Sequence, residues 1–387
     1  MYNIKLMNKI AKIGTDIFDK EKYNIGENIE APDAIMVRSA VMHDMPLNPE
    51  LRAIARAGAG VNNIPVDKCT EQGIVVFNTP GANANGVKEL AIAALILASR
   101  DIVGGIDWIN TLEGQKDIAK IVEKGKSAYV GCEIEGKTLG VIGLGAIGGM
   151  VANAAKNLGM DVIGYDPYIT VDAAWGLSRS IKKANSYDEV FKNSDYITIH
   201  APATDETIGL INAAAFTKMK NGVKIINLSR ADLVNSADIK AALTEGKVGC
   251  YVTDFPTDET VGVKGVINIP HLGASTNESE DNCAVMAARE LIEFLENGNI
   301  VNSVNFPNTS MPHMGDARIC VMHKNIPNVL SNISSAVSAE NINIENMLNR
   351  SKKDLAYTIV EIIGDIPENI ITKLNALDSV IKVTVIK

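Results

Sequence analysis

Positive charge is in short supply. Against 46 acidic residues the 387-residue chain carries 37 lysines and arginines, a net charge of −9. That deficit argues against a general nucleic-acid surface, which needs a basic face. It leaves room for a small anionic ligand, because a pocket needs only a few local cations. Long apolar runs are missing too. The most apolar stretch, ELAIAALILAS from Glu89, is too short to span a bilayer and is flanked by Lys88 and Arg100, so it reads as a buried helix. The N-terminus has no apolar signal core, and no membrane partner is expected. The five cysteines, Cys69, Cys132, Cys250, Cys283 and Cys320, form no CxxC and stand at no metal-ligand spacing from a histidine. They read as reduced thiols of a cytoplasmic protein without a metal site.

What is present is alternation. In the first hundred residues IKLMNKI, AIMVRSA, LRAIARAG and GIVVFNTPG read as strands, and the pattern turns helical from Gly86 to Ser99. TLGVIGLG, MDVIGYD, SDYITIHAP, VKIINLSR, KVGCYVTDF and GVINIPHLG follow as further strands between helices, which implies an α/β fold with a parallel, doubly wound sheet. A long helix is expected after IPHLGAS, to about Gly298. Residues 297–316 are rich in Asn, Ser and Pro, and read as a linker with one short strand, SVNFP. Residues 317–387 then spell βαββαβ, a small α+β sandwich suited to binding or assembly.

The stretch LGVIGLGAIGGMVANAAKNLGMDVIGYD joins a strand, a Gly143-x-Gly145-x-x-Gly148 turn, a helix and a second strand ending in Asp166, 18 residues past the last glycine. Each part has a mechanical reason. Gly143 makes the tight turn and Gly145 lets backbone approach a pyrophosphate. Gly148 lets helix pack on strand, and the helix N-terminus offers oriented N–H donors. A carboxylate at Asp166 would bond the ribose hydroxyls of NAD and repel a 2′-phosphate. The competing reading is a structural turn with Asp166 solvated.

Three later segments end strands of the same sheet, where open α/β sheets bind ligands. They are INLSRADLV with Arg230, YVTDFPTDE with its acids, and IPHLGAST with His271. Singly, an arginine after a strand is an ordinary surface ion-pair partner, and a histidine before Leu-Gly an ordinary cap or core residue. Together, a cation, a carboxylate and an imidazole suit hydride transfer at a 2-hydroxy acid.

The pieces MVRSA, RAGAGVNNIPV, NTPGANANGVKELAIAALIL, GVIGLGAIG, YDPY, HAPATDETIGLI, NLSRADLV, YVTDFPTDE and PHLGASTNES resemble, in order and spacing, the D-isomer-specific 2-hydroxyacid dehydrogenase family. The likeness is to the branch that acts on D-3-phosphoglycerate and carries a C-terminal ACT domain. It implies a Rossmann-type NAD domain inserted in a flavodoxin-like substrate domain, with a ferredoxin-like ACT domain behind. The implied bounds are 1–98 with 273–305, 99–272, a linker 306–316, and 317–387. The implied reaction is NAD-dependent oxidation of D-3-phosphoglycerate, the entry to phosphorylated L-serine synthesis. Another D-2-hydroxy acid, or a non-catalytic dinucleotide sensor, are the alternatives.

The resemblance also assigns residues. Arg230, Glu259 and His271 are the catalytic set, with Asp258 in place of Glu259 if the TDET segment carries a one-residue gap. Gly143, Gly145, Ala146, Ile147, Gly148, Asp166, Ala201, Pro202, Ser229 and Asp254 meet the cofactor. Arg38, Ser39 and the backbone of Ala59, Gly60 and Val61 meet the substrate, Arg38 as candidate for its phosphate, with Arg56 nearby. Asn85 and Gly86 stand where relatives often have Arg-Ser, and Lys88 is a candidate to compensate. In the C-terminal block, His323, Asn325 and Asn343 match the positions at which relatives bind L-serine as an effector. A homodimer or homotetramer is implied.

Overall fold

The computed structural model describes Met1–Lys387, apart from the side chain of Glu368. Its strands form three sheets. The first holds β1 (Tyr2–Met7), β2 (Tyr23–Gly26), β3 (Ala34–Val37), β4 (Ala53–Arg56) and β5 (Val75–Asn78), in the order β2-β1-β3-β4-β5. All its pairings are parallel, the flavodoxin-like order. AIMV of β3 is buried throughout, as a strand covered on both faces must be. β2 has no counterpart in the sequence reading, because YNIG at a sheet edge carries no apolar run. SVNFP is not a strand; only an isolated bridge joins Ser303 to Phe77.

The second sheet holds β6 (Thr138–Ile142), β7 (Asp161–Tyr165), β8 (Lys182–Lys183), β9 (Tyr196–Ile199), β10 (Val223–Asn227), β11 (Val248–Thr253) and β12 (Val266–Asn268). Its order is β12-β11-β10-β9-β6-β7-β8, again all parallel. The order reverses at β6, so a ligand crevice opens beyond the C-terminal ends of β6 and β9.

The chain divides into two compact units, 1–83 with 280–387, and 84–279. The crossings therefore fall at 83/84 and 279/280, not at the expected 98/99 and 272/273. The helix Ala84–Ser99 explains the first shift. Its Val87, Ala91, Ala94 and Leu95 share a core with Leu139, Val141 and Val151 of the second sheet's layer. Segment 273–279 stays in the same unit because Gly273 donates its N–H to Asp254 Oδ2 at 3.0 Å.

The third sheet is antiparallel. It contains β13 (Ala317–Lys324), β14 (Ile344–Lys352), β15 (Leu355–Ile362) and β16 (Val380–Ile386), ordered β14-β15-β13-β16. With the helices Val329–Ser338 and Glu368–Asn375 this is the expected βαββαβ unit. Alternation along β13 serves two cores. Ala317, Ile319 and Val321 pack with Val329, Ile333 and Leu374 of the helices. Cys320 and Met322, with Tyr357 and Ile359, face Phe77, Phe294, Ile300 and Phe306 of the first unit's core.

Polar groups reinforce this join. Arg318 and Glu361 form a 2.7 Å ion pair with both side chains fully buried. The remaining guanidinium donors reach Asn297 O (2.6 Å) and Met311 O (2.9 Å). Lys382 Nζ donates to Leu51 O at 2.8 Å, and Tyr357 Oη to Gly298 O at 2.7 Å. The stretch expected as a linker is part of the join, since Phe306 is fully buried and Thr309 pairs with Ile300. No helix among the described residues is long and apolar enough to cross a membrane.

Removing residues 317–387 should expose this apolar face instead of trimming off a module. The truncated chain is expected to aggregate or bind the dye ANS strongly. A monodisperse, ANS-silent truncated protein on size-exclusion chromatography would contradict this.

Candidate active site

The glycine turn follows β6. Gly143 has φ +84°, a region open to glycine, and a Cβ there would stand 2.6 Å from His200 O. A Cβ on Gly148 would overlap the carbonyl of Gly143. A Cβ on Gly145 would meet nothing within 4 Å, so open space lies above that residue. The helix Ala146–Asn157 starts there with no side-chain cap. Among the described residues, the amides of Gly145, Ala146, Ile147 and Gly148 donate to no protein acceptor. Four free N–H groups at the positive end of a helix, beside open space, fit a pyrophosphate. Asp166 accepts from Leu144 N and Tyr168 N, each at 2.8 Å, so it also holds the glycine turn in place. Its two oxygens retain lone pairs for ribose hydroxyls. Beside the turn, Ala201 and Pro202 follow β9, and Thr207 Oγ1 donates to Pro202 O at 2.6 Å.

His200 was not singled out from the sequence. Its Nε2 lies 2.9 Å from Thr198 Oγ1, and its Nδ1 is buried without a partner. Burial pushes its pKa down to about 4, so the ring stays neutral near pH 7.

The ends of β10 and β11 carry the other candidates. Asn227, fully buried, braces the first turn: it accepts from Ser229 N (3.2 Å) and donates to Arg230 O (2.8 Å). Ser229 Oγ donates to Ile199 O at 2.7 Å. Asp254 is 1% exposed. Its backbone carbonyl accepts from His271 N at 3.0 Å, and its Oδ2 from Gly273 N at 3.0 Å. Oδ1 is buried and unpaired, an acceptor left for a ligand donor. Burial raises the pKa of this carboxyl, while the Gly273 amide and the charges of His271 and Arg230 oppose the rise. His271 has φ +45°, a conformation that costs a non-glycine residue about 1–3 kcal/mol and clusters at functional sites.

Arg230, Asp254 and His271 are thus brought together. The rings of His271 and Phe255 have centroids 4.5 Å apart, and the Arg230 guanidinium lies 5.7 Å from the Phe255 centroid. Glu259 and Asp258 are not brought in. Both are exposed on the turn after β11, and neither side chain bonds to His271. The 257–260 turn that carries them is closed by bonds between Thr257 and Thr260.

The first unit holds the residues expected to meet substrate. The amides of Ala59, Gly60 and Val61 donate to no acceptor among the described residues, while Asn78 Nδ2 fixes Ala59 O at 2.6 Å. Gly58 (φ +150°) lets the Arg56 guanidinium lie against the loop, where any Cβ would overlap it. Arg38 is half-exposed and paired with Glu280 at 2.6 Å. Ser39 is exposed, and its amide donates to Asn8 Oδ1. In the second unit Lys88 lies 3.6 Å from Glu89, which also accepts from Asn85.

The three effector candidates do not converge within this chain. His323 is 2% exposed, with Nδ1 2.9 Å from Lys324 O and Nε2 2.8 Å from Thr358 Oγ1. Asn325 Nδ2 donates to Lys353 O at 3.0 Å. Asn343 precedes β14 at its far end, since Ile344 pairs with Ile362 whereas His323 pairs with Ala356. Asn349 is the asparagine that reaches the histidine, through Thr358 Oγ1 at 2.9 Å.

Residues 92–273 match the family model described as "D-isomer specific 2-hydroxyacid dehydrogenase, NAD binding domain". The chain is 35% identical over 288 residues to the D-3-phosphoglycerate dehydrogenase of Archaeoglobus fulgidus, covering 71% of this chain and 52% of that protein. It is 29% identical over 350 residues to that of Haemophilus influenzae, covering 87% and 82%. The chain thus spans about half the length of the first of these curated relatives. A crystal structure of NAD+-bound 3-phosphoglycerate dehydrogenase from Entamoeba histolytica superposes with a TM-score of 0.60 at 26% identity, covering 79% of this chain and 98% of that one.

Two glycines should separate binding from folding. Gly145→Val is expected to melt near the parent temperature yet bind NADH at least about tenfold more weakly, because its side chain enters space that only a ligand fills. Gly148→Ala should instead lower the melting temperature. Equal NADH affinity in Gly145→Val would contradict the assignment. For His200, the lowered native pKa means the unfolded chain binds the extra proton. Stability should therefore fall as pH drops from about 6.5 toward 4. Melting temperatures across that range should fall less steeply in His200→Asn.

Proposed function

We propose that the chain is a member of the D-isomer-specific 2-hydroxyacid dehydrogenase family and that it oxidises D-3-phosphoglycerate to 3-phosphohydroxypyruvate, the entry to phosphorylated L-serine synthesis. The observation that supports the proposal is the convergence of Arg230, Asp254 and His271 beyond the ends of β10 and β11, in the same sheet whose β6 leads into the open glycine turn. NAD, when bound, supplies the acceptor for the hydride leaving C2. The turn amides of 145–148 would hold its pyrophosphate, Asp166 its ribose hydroxyls, and Asp254 Oδ1 an amide donor. Asp166 disfavours a 2′-phosphate, so NAD is preferred to NADP.

The side chains divide the remaining work. A ring nitrogen of His271 takes the hydroxyl proton as the carbonyl forms. Arg230 holds the substrate carboxylate with charge-assisted hydrogen bonds and polarises the neighbouring oxygen. In the first unit, the free amides of Ala59–Val61 suit a carboxylate, and Arg38 suits the phosphate once it exchanges Glu280 for it. The 317–387 unit is read as an ACT domain. An L-serine effector would meet Asn325 and the turn at Pro327–Asn328, because the His323 ring is already engaged.

A homo-oligomer also belongs to this reading. The helix Ile102–Asn110 buries none of its residues, yet Ile102, Val103, Ile106 and Ile109 are 37–55% exposed. Such a face suits a second copy of the chain.

The deciding assay is NADH formation from NAD with D-3-phosphoglycerate, run beside D-lactate, D-glycerate and 2-hydroxyglutarate. Turnover of the phosphorylated acid is expected, and His271→Asn should lower kcat by about 10²–10⁴. Turnover of an unphosphorylated acid alone would discard the substrate. No turnover despite NADH binding would discard the enzyme. Light scattering should show a dimer or larger assembly that Ile106→Glu weakens; a monomeric parent would refute that part.

A further inference from the structure

We infer that Phe255 is a positioning residue for this reaction, its ring holding Arg230 and His271 at one spacing. The inference rests on the dehydrogenase reading above. Phe255 follows Asp254 at the end of β11, and its own N–H donates to Thr253 Oγ1 at 3.1 Å, so its backbone is anchored to the sheet. Its ring is half-buried, whereas Arg230 and His271 are both exposed. The His271 and Phe255 rings meet at 4.5 Å with planes tilted by 46°, and the Arg230 guanidinium stands 5.7 Å from the same ring.

Neither the His271 ring nor the Arg230 guanidinium hydrogen-bonds to another side chain among the described residues. Among the described residues, no side chain bonds or ion-pairs with the His271 ring, and Arg230 Nη1 donates only to the adjacent Ser229 O, at 2.7 Å. Exposed arginine and histidine side chains otherwise sample several rotamers. An aromatic face removes that freedom in two ways. Its negative quadrupole attracts the guanidinium, and its flat wall fixes the tilt of the imidazole. One ring therefore sets the distance between two groups that must address neighbouring atoms of a 2-hydroxy acid, its carboxylate and its hydroxyl.

Phe255→Leu keeps apolar bulk but loses the flat face; Phe255→Tyr keeps the ring. With D-3-phosphoglycerate and NAD, Phe255→Leu is expected to lose roughly 10–100-fold in kcat. Its NADH affinity and melting temperature should stay near the parent's, and Phe255→Tyr should recover most of the loss. Turnover of Phe255→Leu within twofold of the parent overturns the inference. So does a kcat loss matched by lost NADH affinity or lost folded protein, which would mark Phe255 as core filling. If the parent oxidises no 2-hydroxy acid, the dehydrogenase reading fails on its own, and the geometry is decided by NMR of the histidine-labelled parent. The His271 ring protons, assigned with His271→Asn, should be shifted by the Phe255 ring current. A His271 signal at the position of free histidine overturns the inference, and this measurement needs only the folded parent.

Discussion

Asp254 ties two chain segments to one point. Its carbonyl accepts the amide of His271, and its carboxylate accepts the amide of Gly273. The first bond holds His271 at a positive φ. The second fixes the turn beyond it, and with it the start of the segment that leads into the helix Asn277–Asn297. The carboxylate is buried, which is costly for a charge, and the Gly273 amide with the nearby His271 and Arg230 side chains opposes the penalty. The Asp254 side chain thus fixes the Gly273 turn directly beyond His271, whose own amide also donates to Ile269 O.

Much of this was legible in the sequence. Strand, Gly143-x-Gly145-x-x-Gly148, helix and Asp166 have a spacing that backbone mechanics enforces, and the structure shows the free amides and open space that the pattern implies. Arg230 and His271 were legible because each closes an apolar strand, and strand ends of a parallel sheet converge. Other features depend on contacts that no spacing encodes. The helix Ala84–Ser99 is apolar on most of its surface, so its pattern does not say which sheet it covers, and the domain boundary moved with it. Asn343 and Asn349 differ only by the register of one hairpin. Glu259 is exposed on a turn closed by Thr257 and Thr260, and no hydrogen bond joins its side chain to His271. Phe255 looked like any aromatic after a strand. His200 gave no signal, because a neutral buried imidazole is defined by what encloses it.

The third sheet shares a core with the first, and Arg318, paired with Glu361 inside the third sheet, also donates to the backbone carbonyls of Asn297 and Met311 outside it. Breaking such a pair by removing one partner leaves an uncompensated buried charge, typically about 3–5 kcal/mol. Residues 317–387 thus form one compact unit with the segment that carries the loop Ala59–Val61, not a tethered appendage.

The central claim is hydride transfer from C2 of a D-2-hydroxy acid under the control of His271 and Arg230. It is tested most directly with D-3-phosphoglycerate carrying deuterium at C2, incubated with NAD, followed by mass spectrometry of the reduced coenzyme. The account predicts one deuterium retained on the nicotinamide. Label released to water, or an unreduced coenzyme, would contradict it.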